Sequence, residues 1–206
     1  MPANDAEHTI IDASSLQIIE AALIKKDRAR GRITNYLSET NDYVNARTND
    51  EKTPEAVKNI LNEAVKDLTD KLNHADCNYF QGYFDRTSVY RFCDADGYFS
   101  CQGIYNQDGC MDKHVINPYS SLTERCNFSR WEFDHGIEIS RSVLPNLLKA
   151  AEEVVKEKGL IEVNIDYFFG LLFRKKNLKF VHTGCRLKCE HTDKDCLPEM
   201  ITRPRE

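Results

Sequence analysis

The placement of the cysteines constrains the fold of this chain more than any other sequence feature. The 206 residues include eight cysteines, all after residue 76, at positions 77, 93, 101, 110, 126, 185, 189 and 196. The first residues have neither the basic start nor the apolar core of a signal peptide, and no run of eighteen apolar residues occurs. We therefore expect an intracellular, soluble chain whose cysteines bind a metal or are buried as thiols, rather than forming disulfides.

The first 76 residues have the pattern of helices. Ser14, with Gln17 three residues later, precedes apolar positions at helical spacing, which predicts one or two helices over about 14–38. Segment 41–52 is polar and predicts a connection. Thr53-Pro54 then supplies a cap and a first-turn proline for a second helix that extends to about Leu72. We assign residues 1–76 to an N-terminal helical part.

Residues 77–206 have a mixed pattern that predicts an α+β core. Segment 77–118 is rich in aromatic residues, glycine and cysteine without a helical period, which favours short strands and loops held by a metal such as zinc. Alternation over 129–140 and the segment 178–182 predict strands. Ser142 is the predicted cap of a helix that ends at Gly159, a short aromatic helix follows over 165–173, and a final helix begins within 183–192.

The net charge of the chain is only a weak argument against nucleic-acid binding. A net charge of −5 argues against broad, non-specific attraction to nucleic acid. Two basic runs, over 23–32 and 172–179, could nevertheless present a positive face.

The strand 129–140 carries an acid and an imidazole side by side, Asp134 and His135. Consecutive strand residues point to opposite faces, so the two groups can have separate tasks. Asn177 ahead of the second strand, and His182 with Cys185 after it, complete the order of a ββα-metal (HNH) nuclease motif. In such a motif the histidine takes a proton from the attacking water, and the acid holds a divalent cation on the phosphate.

A closer resemblance covers about three quarters of the chain. The region after Cys77 resembles the catalytic region of the caspase-activated DNase family, the nucleases of DNA fragmentation factor. The matching blocks are YFDR (83–86), GYFSCQG (97–103), HVINPYSS (114–121), WEFDHGIE (131–138), DYFFGLLF (166–173) and NLKFVHTGC (177–185). A weaker block, RITNYLSE (32–39), extends the match to the first helices. The resemblance implies a ββα-metal (His-Me finger) nuclease core with a zinc-stapled loop, preceded by helices.

The resemblance also implies a reaction: magnesium-dependent cleavage of double-stranded DNA in apoptosis, at linker DNA in chromatin. It makes His135 the general base and Asp134 a magnesium ligand. Lys188 would neutralise charge on the phosphate in the transition state. The remaining residues that it assigns to the catalytic site are Asn177, His182 and His191.

A structural zinc ion is implied by the same resemblance. Its ligands would be three cysteines and one histidine, a common tetrahedral set, namely Cys101, Cys110, His114 and Cys185. His182 is a fifth candidate for these four places, and spacing alone does not decide between His182 and Cys101. The other cysteines, at 77, 93, 126, 189 and 196, are expected to be buried or free thiols.

One residue departs from the family pattern. Arg186 occupies the position of a histidine that is a magnesium ligand in the family, and arginine has no lone pair for a metal. Either Asp134, water and DNA phosphate hold the ion, or Arg186 contacts phosphate directly, or the enzyme is weakened. The alternative function is therefore a weakened or inactive zinc-stabilised module that binds DNA or a protein partner.

The family comparison also sets expectations about partners. We expect double-stranded DNA as the ligand, no membrane association, and action in the nucleus and cytoplasm. The chain is expected to lack the CIDE domain, so binding of the family's inhibitor chaperone would require such a domain elsewhere in a longer protein. A homodimer is possible on this reading.

Overall fold

The computed structural model describes residues 13–74, 82–186 and 194–205, with side chains from residue 31 onward. In these ranges the chain forms α-helices and short antiparallel strand pairs, which confirms the predicted α+β class. The helices are α1 (Ala13–Thr48), α2 (Glu55–His74), α3 (Leu122–Asn127), α4 (Leu144–Lys156) and α5 (Ile165–Phe173). The strands are β1 (Phe99–Ser100), β2 (Val115–Ile116), β3 (Trp131–His135), β4 (Ile161–Val163), β5 (Leu178–His182) and β6 (Thr202–Pro204). Of the described helices, none has an apolar stretch long enough to cross a membrane.

Helix α1 is one continuous helix of 36 residues. It confirms the helix predicted over 14–38 and continues to Thr48, so the connection predicted for 41–52 is wrong over its first eight residues. Val44 is 2% exposed and continues the buried stripe that begins at Ile33. Asn41 donates its side-chain amide to the carbonyl of Leu37 at 2.9 Å. A polar segment remains helical here because Tyr43 and Val44 continue the apolar stripe that packs on the core.

Helix α2 confirms the second predicted helix and joins the helical part to the core. It starts directly after Pro54, as its first-turn proline predicted. Its buried residues recur at helical spacing and face α1, α4 and α5. They are Val57, Leu61, Ala64, Val65 and Leu68.

Strands β3 and β5 confirm the two predicted strands and pair antiparallel, with Trp131 opposite His182 and His135 opposite Leu178. Phe133 and Phe180 face each other across the pair, with ring centroids 5.3 Å apart. The aromatic core therefore lies under one face of this pair. The opposite face of β3 carries the half-buried acidic residues.

The chain turns sharply after β3. A π-helical turn, Ile139–Val143, leads directly into α4, and the carboxylate of Glu138 caps it by accepting the backbone N–H of Arg141 at 2.8 Å. The predicted cap at Ser142 is therefore wrong. Its hydroxyl instead donates to the carboxylate of Asp195 and accepts the N–H of Cys196 at 3.2 Å. This contact ties the C-terminal segment to the start of α4.

The C-terminal part of the chain contains one feature without a sequence signal. Strands β4 and β6 pair antiparallel, with Val163 opposite Thr202, although β6 is three residues long and ends in proline. Helix α5 agrees with the aromatic helix predicted over 165–173. Where the final helix is predicted to begin, the structure has a 3-10 turn, Thr183–Cys185, followed by an extended residue, Arg186. Residues 187–193 lie outside the described residues, so the rest of this prediction is not tested.

Candidate active site and metal cluster

The four predicted zinc ligands lie together. The Sγ atoms of Cys101, Cys110 and Cys185 and a ring nitrogen of His114 are all within 4.8 Å of one another. The Sγ of Cys110 is 3.2 Å from Nδ1 of His114 and 3.5 Å from the Sγ of Cys185. A tetrahedral zinc ion with bonds of about 2.3 Å to sulfur has ligand-to-ligand distances of about 3.8 Å. The cluster therefore has the ligand types and the size of a zinc site.

The pairing of β1 with β2 explains half of the cluster. Ser100 lies opposite Val115, so the next residues along the pair, Cys101 and His114, also face each other. The backbone N–H of Cys101 donates to the carbonyl of His114 at 2.9 Å. Cys185 lies three residues after the end of β5, so the β3–β5 pair positions this fourth ligand.

Cys110 reaches the cluster because its loop crosses itself tightly. Gly103 has φ +71°, a conformation that L side chains rarely adopt. A Cβ at Gly103 would lie 2.0 Å from the carbonyl oxygen of Gly109, the residue before Cys110. Only glycine therefore allows this crossing of the loop.

His182 is adjacent to the cluster without belonging to it. Its ring stacks on the ring of His114, with centroids 4.2 Å apart, and its Nδ1 accepts the N–H of Gly184 at 3.2 Å. His182 pairs with Trp131, at the opposite end of β3 from His135, which is about 13 Å along the strand. Of the two candidates left open by the sequence, Cys101 belongs to this group of ligand atoms and His182 does not.

His135 ends β3 with its imidazole turned into the core. The side chain is 6% exposed, and Nε2 is 3.2 Å from the carbonyl oxygen of Leu172 on α5. A carbonyl can only accept, so Nε2 carries the proton and Nδ1 holds the lone pair. The ring of Tyr36 from α1 contacts the imidazole edge-on, with centroids 4.6 Å apart. Burial lowers the pKa of His135 to about 4, so the ring is neutral at neutral pH.

Asn177 fixes the turn that follows His135. Its side-chain oxygen accepts the N–H of Ile137 at 2.6 Å, and its amide donates to the carbonyls of Ile137 at 3.0 Å and Leu171 at 2.8 Å. Its backbone carbonyl accepts the N–H of Gly136 at 2.8 Å. The predicted site asparagine is thus a positioning residue that holds the end of β3.

The outer face of β3 presents Glu132 and Asp134, about 7 Å apart along the strand. The carboxylate of Glu132 accepts from the guanidinium of Arg186 at 2.5 Å and pairs with that of Arg32 at 3.1 Å. Arg186 directly follows Cys185, so the metal cluster and Glu132 together fix its position. Among the residues that the structure describes, Asp134 does not belong to a group of three or more potential metal ligands.

Two predicted catalytic residues, Lys188 and His191, lie outside the described residues. The same holds for Cys77 and Cys189. The described cysteines outside the cluster are free thiols, as predicted: Cys93 and Cys196 are buried and Cys126 is exposed.

Sequence reasoning missed the contribution of α1 to this site. Arg32 and Tyr36 are four residues apart and so lie on one face of the helix, and they contact Glu132 and His135 of β3. A signal existed in the spacing of a cation and an aromatic residue on one helix face. Such pairs are common on helices, however, and nothing local identifies their partner strand.

Comparisons with known proteins agree with this geometry. A family model described as DNA fragmentation factor 40 kDa matches residues 17–202. The chain is 43% identical over 129 residues to DNA fragmentation factor subunit beta of Homo sapiens, covering 62% of this chain and 37% of that protein. It is 37% identical over 176 residues to the Mus musculus protein, covering 84% of this chain and 47% of that protein. The chain thus spans less than half the length of these curated relatives.

A solved structure extends the match. The crystal structure of caspase-activated DNase (CAD) aligns with a TM-score of 0.75 and 34% sequence identity, covering 90% of this chain and 70% of that one. The fold and the aligned sequence define a protein of mixed helices and small antiparallel sheets. This chain belongs to the DNA fragmentation factor 40 kDa family, which confirms the resemblance seen in the sequence.

Proposed function

We propose that this chain is the catalytic part of an endonuclease that hydrolyses double-stranded DNA during apoptosis, acting on linker DNA of chromatin in the nucleus. Family membership supports the proposal, because relatives are named for DNA fragmentation. The observation that carries it is His135. A buried, neutral imidazole with its Nε2 proton held by the carbonyl of Leu172 offers one free lone pair, at Nδ1.

The chemistry assigned to His135 is general base catalysis. Its Nδ1 takes a proton from water as the water oxygen bonds to phosphorus and the bond from phosphorus to the 3′ oxygen breaks. The leaving 3′ oxygen takes a proton from solvent water and becomes a hydroxyl, while the phosphate stays on the 5′ oxygen of the next nucleotide. Leu172 and Tyr36 orient the ring, and Asn177 holds the turn behind it. Lys188 and His191 keep their predicted roles as part of this proposal.

A magnesium ion fits this site only in part. Asp134 offers a carboxylate on the outer face of β3, and magnesium is usually held by one or two carboxylates together with substrate phosphates. Arg186 does not fit as a second ligand, because its guanidinium has no lone pair and is paired with Glu132. When bound at Asp134, the ion would supply Lewis-acid stabilisation of charge on the phosphate.

The metal proposed for the cysteine cluster is zinc. Three thiolates and one imidazole at these separations suit tetrahedral zinc better than magnesium or calcium, which prefer oxygen ligands. A closed site of four protein ligands leaves no position for substrate. The role that we assign to this ion is therefore structural: it joins the loop 101–114 to the end of β5.

A plasmid assay tests the proposed activity. Supercoiled plasmid is incubated with zinc-loaded protein in buffers with and without magnesium, and linear product is quantified. His135→Ala should abolish cleavage, whereas His74→Ala, which removes an exposed histidine of α2, should leave it unchanged. Equal cleavage by the wild type and His135→Ala would contradict the assignment of the base. Absence of cleavage in all three proteins would contradict the activity itself.

A further inference from the structure

A cavity opens beside the turn that follows His135, on the side of Asn177. It has a volume of about 660 Å³, and Gly136, the residue after His135, forms part of its wall. Four lysines line it: Lys175, Lys176, Lys179 and Lys194. Three of them come from the basic run 172–179, for which the site described above provides no role. We refer to this feature as the lysine cavity.

The lysine cavity concentrates positive charge on an acidic chain. Its lining includes two carboxylates, Asp108 and Asp195, against four ammonium groups, which leaves a net charge of about +2. The carboxylate of Asp195 already accepts from the amide of Asn146 at 3.0 Å and from the N–H of Cys196 at 2.7 Å. Asp108 is exposed. Burial lowers the pKa of Lys179 and the neighbouring charge of Lys194 lowers it further, whereas the carboxylates of Asp108 and Asp134 act in the opposite direction.

Backbone carbonyls, and not carboxylates, hold these amines in place. The amine of Lys179 donates to the carbonyls of Ile104 at 2.5 Å and Gln107 at 2.6 Å. Lys175 donates to the carbonyl of Arg91 at 2.8 Å and Lys194 to that of Tyr105 at 3.3 Å.

Each ammonium has three donors, so every one of these groups keeps at least one for a ligand. Lys176 makes no hydrogen bond to the residues that the structure describes, and its amine lies 5.3 Å from the centroid of the Tyr167 ring. Within the described ranges none of the four lysines forms a salt bridge. The cavity therefore offers an anion ammonium donors that no salt bridge among the described residues engages, three of them held by backbone carbonyls.

We propose that the lysine cavity is a phosphate subsite, which binds a backbone phosphate of the DNA strand beside the one that is cut. This inference rests on the proposed function. Lys179 is the register partner of Asp134 on β3, and paired residues in antiparallel strands have Cα atoms about 5 Å apart. Successive phosphates of one strand follow each other at a rise of about 3.4 Å. A strand with its scissile phosphate at Asp134 thus has a neighbouring phosphate near Lys179, which lines the lysine cavity together with the other three lysines.

DNA binding at several salt concentrations tests this subsite. All proteins carry His135→Ala so that the duplex stays intact, and no chelator is added that would remove zinc. Fluorescence anisotropy of a labelled duplex is measured for this parent, for the double variant Lys175→Gln/Lys176→Gln, and for Lys156→Gln as a matched control. Lys156 is exposed on the last turn of α4 and does not line the cavity. Lys179 is left intact because it holds the loop of the metal cluster.

The double variant should bind duplex about twofold to fivefold more weakly than the parent. The slope of log affinity against log salt should become shallower by about 1, since one phosphate contact is lost. Lys156→Gln should change neither quantity. An unchanged slope in the double variant would overturn the DNA subsite.

A calorimetric titration with inorganic phosphate separates this proposal from the proposed function. If the parent binds no duplex, the endonuclease proposal fails, and phosphate binding that is lost in the double variant would still support an anion site. If neither duplex nor phosphate binds, the subsite is overturned as well. If the double variant loses phosphate binding but keeps the duplex slope of the parent, the cavity takes free phosphate and the assignment to DNA is wrong.

Discussion

Replacing Asn177 by alanine removes the side chain that fixes the end of β3. Asn177 is 5% exposed and makes three side-chain hydrogen bonds, at 2.6, 2.8 and 3.0 Å. Each such bond contributes about 1 kcal/mol net, and a buried carbonyl left without a partner costs about 1 to 3 kcal/mol. The carbonyl of Leu171, a residue that is 3% exposed, would lose this donor. We therefore expect Asn177→Ala to lower the free energy of unfolding by about 3 kcal/mol.

Urea unfolding with zinc present measures this loss. The midpoint should fall while the slope of the unfolding free energy against urea stays constant, because the exposed surface is almost the same. Asn164→Ala is the matched control: Asn164 caps α5 with one side-chain hydrogen bond, to the N–H of Tyr167 at 3.1 Å. Loss of that single bond should cost about 1 kcal/mol.

Two results would refute this reasoning. If Asn177→Ala and Asn164→Ala lowered the free energy of unfolding equally, the contributions of the three hydrogen bonds of Asn177 would not be additive. Asn177→Asp keeps the acceptor for Ile137 but gives up both donated bonds, so at neutral pH it should be at least as unstable as Asn177→Ala. Wild-type stability of Asn177→Asp would mean that the donated bonds to Leu171 and Ile137 contribute nothing.

Four further predictions concern the metals and the base. Cys110→Ser should reduce zinc from one ion per chain to none by elemental analysis, whereas Cys126→Ser should retain it; zinc retained by Cys110→Ser would contradict the cluster. Arg186→His supplies a lone pair for the metal and should increase magnesium-dependent plasmid cleavage. An unchanged response to magnesium would contradict the proposal that Asp134 alone binds the ion weakly. Because burial lowers the pKa of His135 to about 4, kcat/KM should stay constant over about pH 6 to 8 and fall only near pH 4, whereas a fall near pH 6.5 would contradict it. The same lowered pKa makes the folded state lose stability as pH falls from about 6.5 towards about 4, since the unfolded chain takes up the proton first, and acid titration followed by circular dichroism would show this window.

The parts of the site that local sequence predicts are those whose residues are neighbours on one strand or one turn. Asp134 and His135 follow from alternation on β3, and Asn177 from its place before β5. The set of cluster ligands came from the family resemblance, and the choice of Cys101 over His182 needed the structure. It depends on the β1–β2 register, which two-residue strands do not reveal.

Two features of the fold could not be predicted from local sequence: the continuation of helix α1 to Thr48 and the pairing of β4 with β6. A polar stretch such as 41–48 can be a loop or the exposed side of a helix, and only the core beneath it decides. Strand β6 ends in Pro204, a residue type that disfavours strand structure in isolation. Its pairing with β4 is stabilised by contacts between residues that are far apart in the sequence, including the ion pair of Arg203 with Glu162 at 2.7 Å.

The position of α1 connects the helical part of the chain to the chemistry of the core. Tyr36 covers one side of the His135 imidazole, and Arg32 holds the carboxylate of Glu132. Burial is the main cause of the lowered pKa of His135, and part of that burial comes from the Tyr36 ring. If the contact opened, water would reach the imidazole and its pKa would move back towards about 6.5. The protonation behaviour of the proposed base is therefore a property of α1 and β3 together, and neither part sets it alone.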